Sequence, residues 1–483
     1  MATTTTSMDQ VLERVRANEQ AGIQRLLDWL RIPSVSTDQA FKGDVRKAAQ
    51  WCADRLKEAG IDASLKETGT KDKPGHPIVW AQHPGPKGYT GPHILFYGHY
   101  DVQPPDPLNL WKSPPFEPVI LPADGKGDVP QERIVARGAV DDKGQVATFL
   151  EAARAWHETA NEIPCKMTII IEGEEESGSA NLERFCNENK SALEQCDICV
   201  ISDTGMLGRG KPAITSGVRG LAYTEIKLHA ADQDLHSGMW GGRCPNPINE
   251  LAKVIAQLWD KDRRVTIPGF YDDVQDVPQA DRDAWAPIAR DYPKMLEKIG
   301  MGSDANVGEK GFNALEREWI RPTCDCNGIY GGYMGEGAKT VIPAWAGAKV
   351  SFRLVANQDP AKITKLFRTW LDDHTPPGCR WEFHDHGGGF PGNVASQSPY
   401  MQAAMRALGT AGGGADPAII RTGGSIPVVG MLKGDFGLDT LLVGFGLDDD
   451  RVHSPNEKFE LDCYRLGCRT HVALMDELAR MKP

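Results

Sequence analysis

Short uninterrupted apolar runs recur along this chain, and several of them end on an acidic residue or a histidine. Ile94-Leu95-Phe96-Tyr97 runs into His99 and Asp101, and Val135-Ala136-Arg137-Gly138 precedes Asp141 and Asp142. Met167-Thr168-Ile169-Ile170-Ile171 leads to Glu174, Glu175 and Glu176, Val200-Ile201-Ser202 leads to Asp203, and His453 lies beyond Leu441-Leu442-Val443-Gly444. Runs of this kind predict buried parallel strands, and in open α/β sheets ligands sit outside the carboxyl ends of the strands. One rim then gathers two imidazoles and several carboxylates, the composition of a site for two metal ions.

Helical periodicity fills the intervals. Val11, Leu12, Val15, Ile23, Leu26, Leu27 and Leu30 form an opening amphipathic stretch that ends at Ile32-Pro33. A helix from about Arg46 to Ala59 stops at Gly60, and further helices are predicted from Lys143 to Ala160 and from Asn181 to Asn189. Strand and helix in alternation indicate an α/β domain with a mostly parallel central sheet. After Thr215 the pattern changes. A strand over Gly220–Ala230, a helix opened by Asn246-Pro247 and running to Trp259, strands near Ile329 and over 346–355, a helix over Pro360–Asp373 and a strand at Trp381–His384 suggest a small α+β module. It is placed as an insertion, residues 217–392. The α/β signature returns over 393–483, with strands at Ala418–Arg421 and Thr440–Phe445 and a closing helix over Leu461–Met481, so the domain begun by residues 1–216 is discontinuous.

Composition narrows the function. A chain of 483 residues exceeds what one core usually supports, so two domains are expected. A formal charge of −12 argues against nucleic acid or an anionic membrane as partner, since either needs a basic surface. No run of apolar residues is long enough to span a bilayer, and Met1–Ser7 has neither a basic start nor an apolar segment. The expectation is a soluble cytoplasmic protein. The 11 cysteines lack the spacing of a disulfide scaffold and read as free thiols; strand alternation would point the sulfurs of Cys196 and Cys199 to different faces, and Cys324 and Cys326 carry no stronger signal. Asp448, Asp449 and Asp450 read as a solvated loop.

Imidazole nitrogen with carboxylate oxygen suits borderline divalent ions, zinc first, with manganese or cobalt as alternatives. Two ions about 3.5–4 Å apart need one bridging carboxylate, and each needs its own imidazole and a further carboxylate. Asp141 as bridge, His99 with Asp203 on one ion, and Glu176 with His453 on the other meet that stoichiometry. Spacing leaves open Asp141 against Asp142 and Glu176 against Glu174. A water activated between the ions needs a group to take its proton and pass it to a leaving amine, and Glu175, next to a ligand and itself free, suits that role. Asp101 would orient the His99 ring from behind. Taken singly, an Asp at a strand end is an ordinary cap or turn residue; the coincidence of five such ends carries the reading.

Gly98-His99-Tyr100-Asp101-Val102-Gln103-Pro104, Ala136-Arg137-Gly138-Ala139-Val140-Asp141-Asp142-Lys143-Gly144, Glu172-Gly173-Glu174-Glu175-Glu176-Ser177-Gly178-Ser179, Ser202-Asp203 and His453-Ser454-Pro455-Asn456-Glu457 resemble the di-zinc metallopeptidases typified by carnosine dipeptidase. Aminoacylases, glutamate carboxypeptidase and succinyl-diaminopimelate desuccinylase belong to the same family, and the resemblance runs from about residue 10 to the C-terminus, nearest the carnosinase-like dipeptidase branch. It implies ligand roles for His99, Asp141, Glu176, Asp203 and His453, an acid/base role for Glu175 and a supporting role for Asp101, which settles both open choices. The inserted module becomes a lid and dimerisation domain. In Asp234-Leu235-His236-Ser237-Gly238, His236 corresponds to the histidine that reaches into the partner subunit's site in a homodimer and stabilises the oxyanion. Arg353, assisted by Thr340, resembles the clamp for the substrate's terminal carboxylate, and Gly423, Gly424 and Ser425 the substrate-binding loop. Here the chain departs: Thr422 stands where carnosinase-like dipeptidases carry a glutamate, which points to tolerance of an acylated amino end. The resemblance implies hydrolysis of dipeptides or small peptides with a free carboxylate. The alternative is an N-acyl-amino-acid amidohydrolase or a glutamate-type carboxypeptidase, with an acyl-amino-acid substrate.

Overall fold

Every residue of the strand His93–His99 is buried, because it runs parallel between Lys166–Glu172 and Ile198–Ile201 with helices over the sheet. In the computed structural model, which describes residues 7–123, 131–290, 295–297 and 299–482, the chain divides into two units. The first comprises Met1–Ser216, Val394–Ile420 and Phe436–Pro483, the second Gly217–Asn393 and Arg421–Asp435. Met1–Thr6, most of the opening segment considered above as a leader, lies outside the described residues.

Within the first unit the sheet runs in the order Asp62–Lys66, Ile78–Pro84, Lys166–Glu172, His93–His99, Ile198–Ile201, Thr440–Leu442, Ala213–Val218. It is a mixed sheet, and the parallel character expected of it is confined to the four central strands. Ile78–Pro84 lies antiparallel to Lys166–Glu172, Asp62–Lys66 antiparallel to Ile78–Pro84, and Ala213–Val218 antiparallel to Thr440–Leu442. The loop from Lys66 to Ile78 holds no helix, and without a crossover neighbouring strands come out antiparallel. The carboxyl ends of the central strands share one rim, which receives His99, Glu172 and Ser202-Asp203.

The helix Lys143–Ala160 has the predicted bounds and ends on Asn161 in the left-handed region, φ 55°. Its first residue is buried; Lys143 Nζ donates to Ile32 O at 2.7 Å and Trp29 O at 3.2 Å, closing the carbonyl end of the helix Glu19–Leu30. The opening amphipathic stretch is two helices, Met8–Ala17 and Glu19–Leu30, parted at Asn18. A three-stranded sheet of Val119–Leu121, Arg133–Val135 and Lys458–Glu460 was not foreseen, since strands this short carry no readable period. All 11 cysteines are free, and among the described residues no helix is long and apolar enough to cross a membrane.

The second unit holds an antiparallel sheet in the order Thr323–Gly331, Trp345–Leu354, Gly220–His229, Arg380–Gly389. Gly220–His229 alternates buried and half-buried positions throughout. Its buried face, Ala222, Ile226 and Leu228, joins Val254, Phe352, Phe367 and Trp370 in a separate core under the helices Pro247–Ala256 and Pro360–Asp373. Asn246 and Asp359 cap those helices through Ile248 N at 3.0 Å and Ala361 N at 2.7 Å; such caps are each worth about 1 kcal/mol. A short ribbon pairs Leu235–His236 with Val341–Ile342.

One buried histidine makes the first unit acid-sensitive. His471 is 1% exposed, its Nε2 lies 2.9 Å from Ser202 Oγ, and it meets Phe96, Phe149 and Phe445 edge-on. Burial drives its pKa down to about 3. A histidine held neutral in the native state stabilises above its unfolded pKa, and that contribution is lost as pH falls toward the folded value, at about 1.4 kcal/mol per pH unit below about 6.5. His471→Gln should therefore flatten the loss of unfolding free energy between pH 6 and pH 4.5, as measured by urea melts; an acid limb as steep as that of the parent protein would exclude His471 as its source.

Candidate metal centre

His99 ends a fully buried strand, and its ring is held by the residue two positions on. Nδ1 lies 3.1 Å from Asp101 O and 3.4 Å from Asp101 Oδ1. Nε2 therefore faces the rim, 3.2 Å from Asp141 Oδ1 and 3.6 Å from Asp203 Oδ2. On the other side of Asp141, Oδ2 lies 2.9 Å from His453 Nε2, which is also 3.2 Å from Glu176 Oε2. Asp141 thus turns one oxygen to each imidazole. Two clusters of ligating atoms, each within 4.8 Å, result: His99, Asp142 and Asp203, and Asp141, Glu176 and His453. Asp142 stands close to His99, but its Oδ2 accepts the backbone N–H of His99 at 3.2 Å, whereas Asp141 meets the ring.

The three consecutive glutamates part company at the end of the strand Lys166–Glu172. Glu174 is turned away from the imidazoles and accepts from His76 N at 2.8 Å and Asn181 Nδ2 at 2.8 Å. Glu176 faces His453 and is steadied by Gln103 Nε2 at 2.7 Å. Glu175 makes no side-chain hydrogen bond or ion pair among the described residues, and desolvation lifts its pKa to about 7. Asp101 serves this turn as well as His99: its two oxygens accept Glu175 N at 3.3 Å and Glu176 N at 3.1 Å. Glu172 is buried beside them, its carboxyl bonded by Tyr97 Oη and by Ser179 Oγ at 2.9 Å, and burial raises its pKa to about 8.

The turn that carries His453 has three non-glycine residues in the left-handed region, Arg451, His453 and Asn456, with φ of 59°, 59° and 64°. L side chains adopt that region at a cost, and the surroundings hold it there. Lys458 N donates to Asp450 O at 3.0 Å, while Lys458 Nζ reaches the Asp450 carboxylate and Glu460. Arg209 bonds Asp449 at 2.5 Å and Glu460 at 2.6 Å. The solvated loop expected at Asp448–Asp450 is corrected here: Asp448 is exposed, but Asp450 is 0% exposed because Lys458 neutralises it. Glu457, also buried, accepts three backbone N–H groups of the Asp141 loop. Glu457 and Gln103 both lay inside motifs read above without a role; a charged or amide side chain four residues beyond His453 or two beyond Asp101 was the available signal.

Charge decides what the pocket can hold. Asp101, Asp141, Asp142, Glu172 and Glu174 are each at most 8% exposed, and two imidazoles stand among them. Burial alone would lower the proton affinity of His99, yet Asp101, Asp141 and Asp203 override it and raise its pKa well above the imidazole range. Asp141 and Glu176 likewise raise His453 to about 10. Carboxylates this desolvated need a hydrogen-bond donor, an imidazole, a proton or a cation, and the proton serves Glu172, whose pKa stands at about 8. The Nε2 of His99 is buried and makes no hydrogen bond; a divalent ion in this anionic space would take the place of the proton that the carboxylates otherwise hold on the ring.

The residues read as contacting substrate lie in the second unit. Arg353 Nη1 donates to Ser425 Oγ at 2.8 Å, and Arg219 Nε donates to Gly423 O at 2.9 Å. A Cβ on Gly423 would meet Glu318 Cγ at 2.7 Å and Arg219 Nη2 at 2.9 Å, which explains the glycine. Glu318 Oε1 accepts Gly423 N at 3.3 Å, so a carboxylate does stand beside this loop although Thr422 supplies none. Thr340 is exposed and accepts Ser237 N at 3.1 Å through its carbonyl, next to the exposed His236, whose Nδ1 accepts Gly238 N at 3.1 Å.

The chain is similar to known proteins along most of its length. Residues 95–477 match peptidase family M20/M25/M40. The chain is 33% identical over 469 residues to the Cys-Gly metallodipeptidase DUG1 of Candida albicans, covering 93% of this chain and 92% of that protein. Among solved structures it is similar to the M20 family metallo-carboxypeptidase Sso-CP2 from Sulfolobus solfataricus, with TM-score 0.74 and 31% identity over 95% of this chain and 99% of that one. Human carnosine dipeptidase 1 aligns with TM-score 0.71 and 28% identity over 98% and 99%. The family match, the relatives and the two imidazole–carboxylate clusters together make this chain a metal-dependent peptidase of family M20/M25/M40.

Proposed function

We propose that this protein hydrolyses the peptide bond of dipeptides or similar small peptides that bear a free carboxylate. The observation that carries the reading is Asp141, with one oxygen toward His99 and the other toward His453, beside a Glu175 whose side chain makes no hydrogen bond or ion pair among the described residues. His99 with Asp203 would hold one divalent ion, His453 with Glu176 a second, and Asp141 both, zinc suiting the nitrogen and oxygen donors. Such ions would polarise the substrate carbonyl and make water more acidic. Glu175, kept near pKa 7 by burial, accepts the proton of the water that attacks the carbonyl carbon and delivers it to the nitrogen as the carbon–nitrogen bond breaks. Asp101 keeps that carboxylate aimed by holding the Glu175 and Glu176 amides. Glu175→Gln should keep the metal content measured by elemental analysis while kcat falls by several orders of magnitude; a loss of only a fewfold would refute the proton-transfer role.

The guanidinium of Arg353, with Ser425 at 2.8 Å and Thr340 assisting, is suited to a terminal carboxylate, and the bare Gly423-Gly424 backbone to a peptide group. A second reading, an acylated substrate, draws support from Thr422 and from the relative that is named a carboxypeptidase. Glu318 beside Gly423 favours a free ammonium and so the dipeptidase. Dipeptides should then be cleaved with kcat/KM at least tenfold above that of their N-acetylated forms, by direct product assay. Equal rates would favour the acylated class.

A homodimer completes the proposal, with His236 serving the partner subunit's site as oxyanion donor. His236 is exposed, and Met239, Trp240, Tyr333 and Met334 of the same unit are 65%, 39%, 47% and 77% exposed, side chains of the kind an interface between subunits would cover. Mixing inactive Glu175→Ala subunits with inactive His236→Ala subunits should restore activity in hybrids. No recovery after demonstrated subunit exchange would return His236 to its own subunit.

A further inference from the structure

The loop that carries Asp141 and the turn that carries His453 are fastened together by one carboxylate. Glu457 is 0% exposed. Its Oε2 accepts Arg137 Nη1 at 2.8 Å and Gly138 N at 2.9 Å, and its Oε1 accepts Val140 N at 2.9 Å and Asp141 N at 3.1 Å. Backbone N–H groups that converge in this way form an anion cradle, and a carboxylate that accepts several of them is held strongly. Arg137 extends the tie by donating to Pro104 O at 3.2 Å and lying over the Trp111 ring at 5.6 Å. Next to Glu457, the Asn456 side chain accepts Lys112 N at 2.7 Å and donates to Leu110 O at 2.8 Å.

The two proposed ion sites depend on this tie unequally. His99 and Asp203 sit at or just past the ends of buried parallel strands, whose hydrogen bonds position them, with one added bond from His99 N to Asp142 Oδ2 at 3.2 Å. His453 has no such strand. Its turn leaves the regular backbone region at Arg451, His453 and Asn456, and its imidazole reaches Asp141 at 2.9 Å only while the two loops keep their spacing.

We propose that Glu457 is a positioning residue that sets the distance between Asp141 and His453, and so governs the ion held by Asp141, Glu176 and His453 more than the ion at His99 and Asp203, which shares only Asp141 with it. The inference rests on the two-ion reading above. Glu457→Gln is the direct probe, since its amide cannot accept at both ends and its NH2 would face N–H donors.

The measurement is zinc stoichiometry by elemental analysis, with affinities from competition against a chelating dye and folding checked by circular dichroism. The parent protein should take up two ions. E457Q should retain one ion and bind the second about ten- to a hundredfold more weakly, the range typical of lost outer-sphere partners. A folded E457Q that holds two ions at parental affinity, or that loses both equally, would overturn the proposal. Should E457Q not fold, Glu457→Asp, which keeps the charge and shortens the reach, answers the same question by the same selective loss or its absence. A parent protein that binds no ion would instead refute the two-ion reading, so the two failures are distinct.

Discussion

Negative charge packed into a desolvated space, with too few positive groups to balance it, is the constraint on which the rest of this structure depends. Asp101, Asp141, Asp142, Glu172 and Glu174 are all buried, with Glu175, Glu176 and Asp203 half-buried beside them. Removing a carboxylate from water without a partner costs several kcal/mol, so each needs a hydrogen-bond donor, an imidazole or a cation. The first two are visible: backbone N–H groups meet Asp101, Glu174 and Glu457, and the imidazoles meet Asp141, Asp203 and Glu176. The remaining imbalance is what calls for divalent ions at the rim.

Identical side chains do different work there because their surroundings differ. Of three adjacent glutamates, Glu174 is consumed by His76 N and Asn181, Glu176 is turned to His453, and Glu175 has no side-chain hydrogen bond or ion pair among the described residues, its pKa raised to about 7. A chain that kinks into a short helical turn over Glu175–Ser177 distributes three neighbouring carboxylates in three directions. Asp101 links the turn to His99, so one carboxylate aligns a proposed ligand and the proposed acid/base together. The acidic stretch 448–450 follows the same logic: Lys458 and Arg209 tie Asp449 and the buried Asp450 into an ionic brace for the turn at His453, while Asp448 stays exposed.

The second unit presents a different chemistry. Arg219, Arg353 and Glu318 set both signs of charge against the loop Gly423-Gly424-Ser425. Arg421–Asp435, which carries that loop, clusters with the second unit, although the strand and helix patterns on either side of it belong to the first. A local pattern reports only the type of an element, and the unit it joins depends on contacts far away in sequence.

Apolar runs, helix caps and residue types were enough to establish from the sequence that buried strands end in ligating groups. The bounds of Lys143–Ala160 and Pro360–Asp373 and the anionic rim were legible for the same reason, because burial of a continuous run and a capped 3.6-residue period are local properties. The mixed order of the sheet was not legible, because strand direction is set by connections rather than by strand composition. Spacing did not separate Asp141 from Asp142, or Glu174 from Glu176, and only the resemblance chose between them, since neighbours of like chemistry differ only in where tertiary packing aims them. Glu457 marks the limit most clearly: as a sequence position it is one more acidic residue, and only the fold, by closing the Asp141 loop around it, makes it a brace.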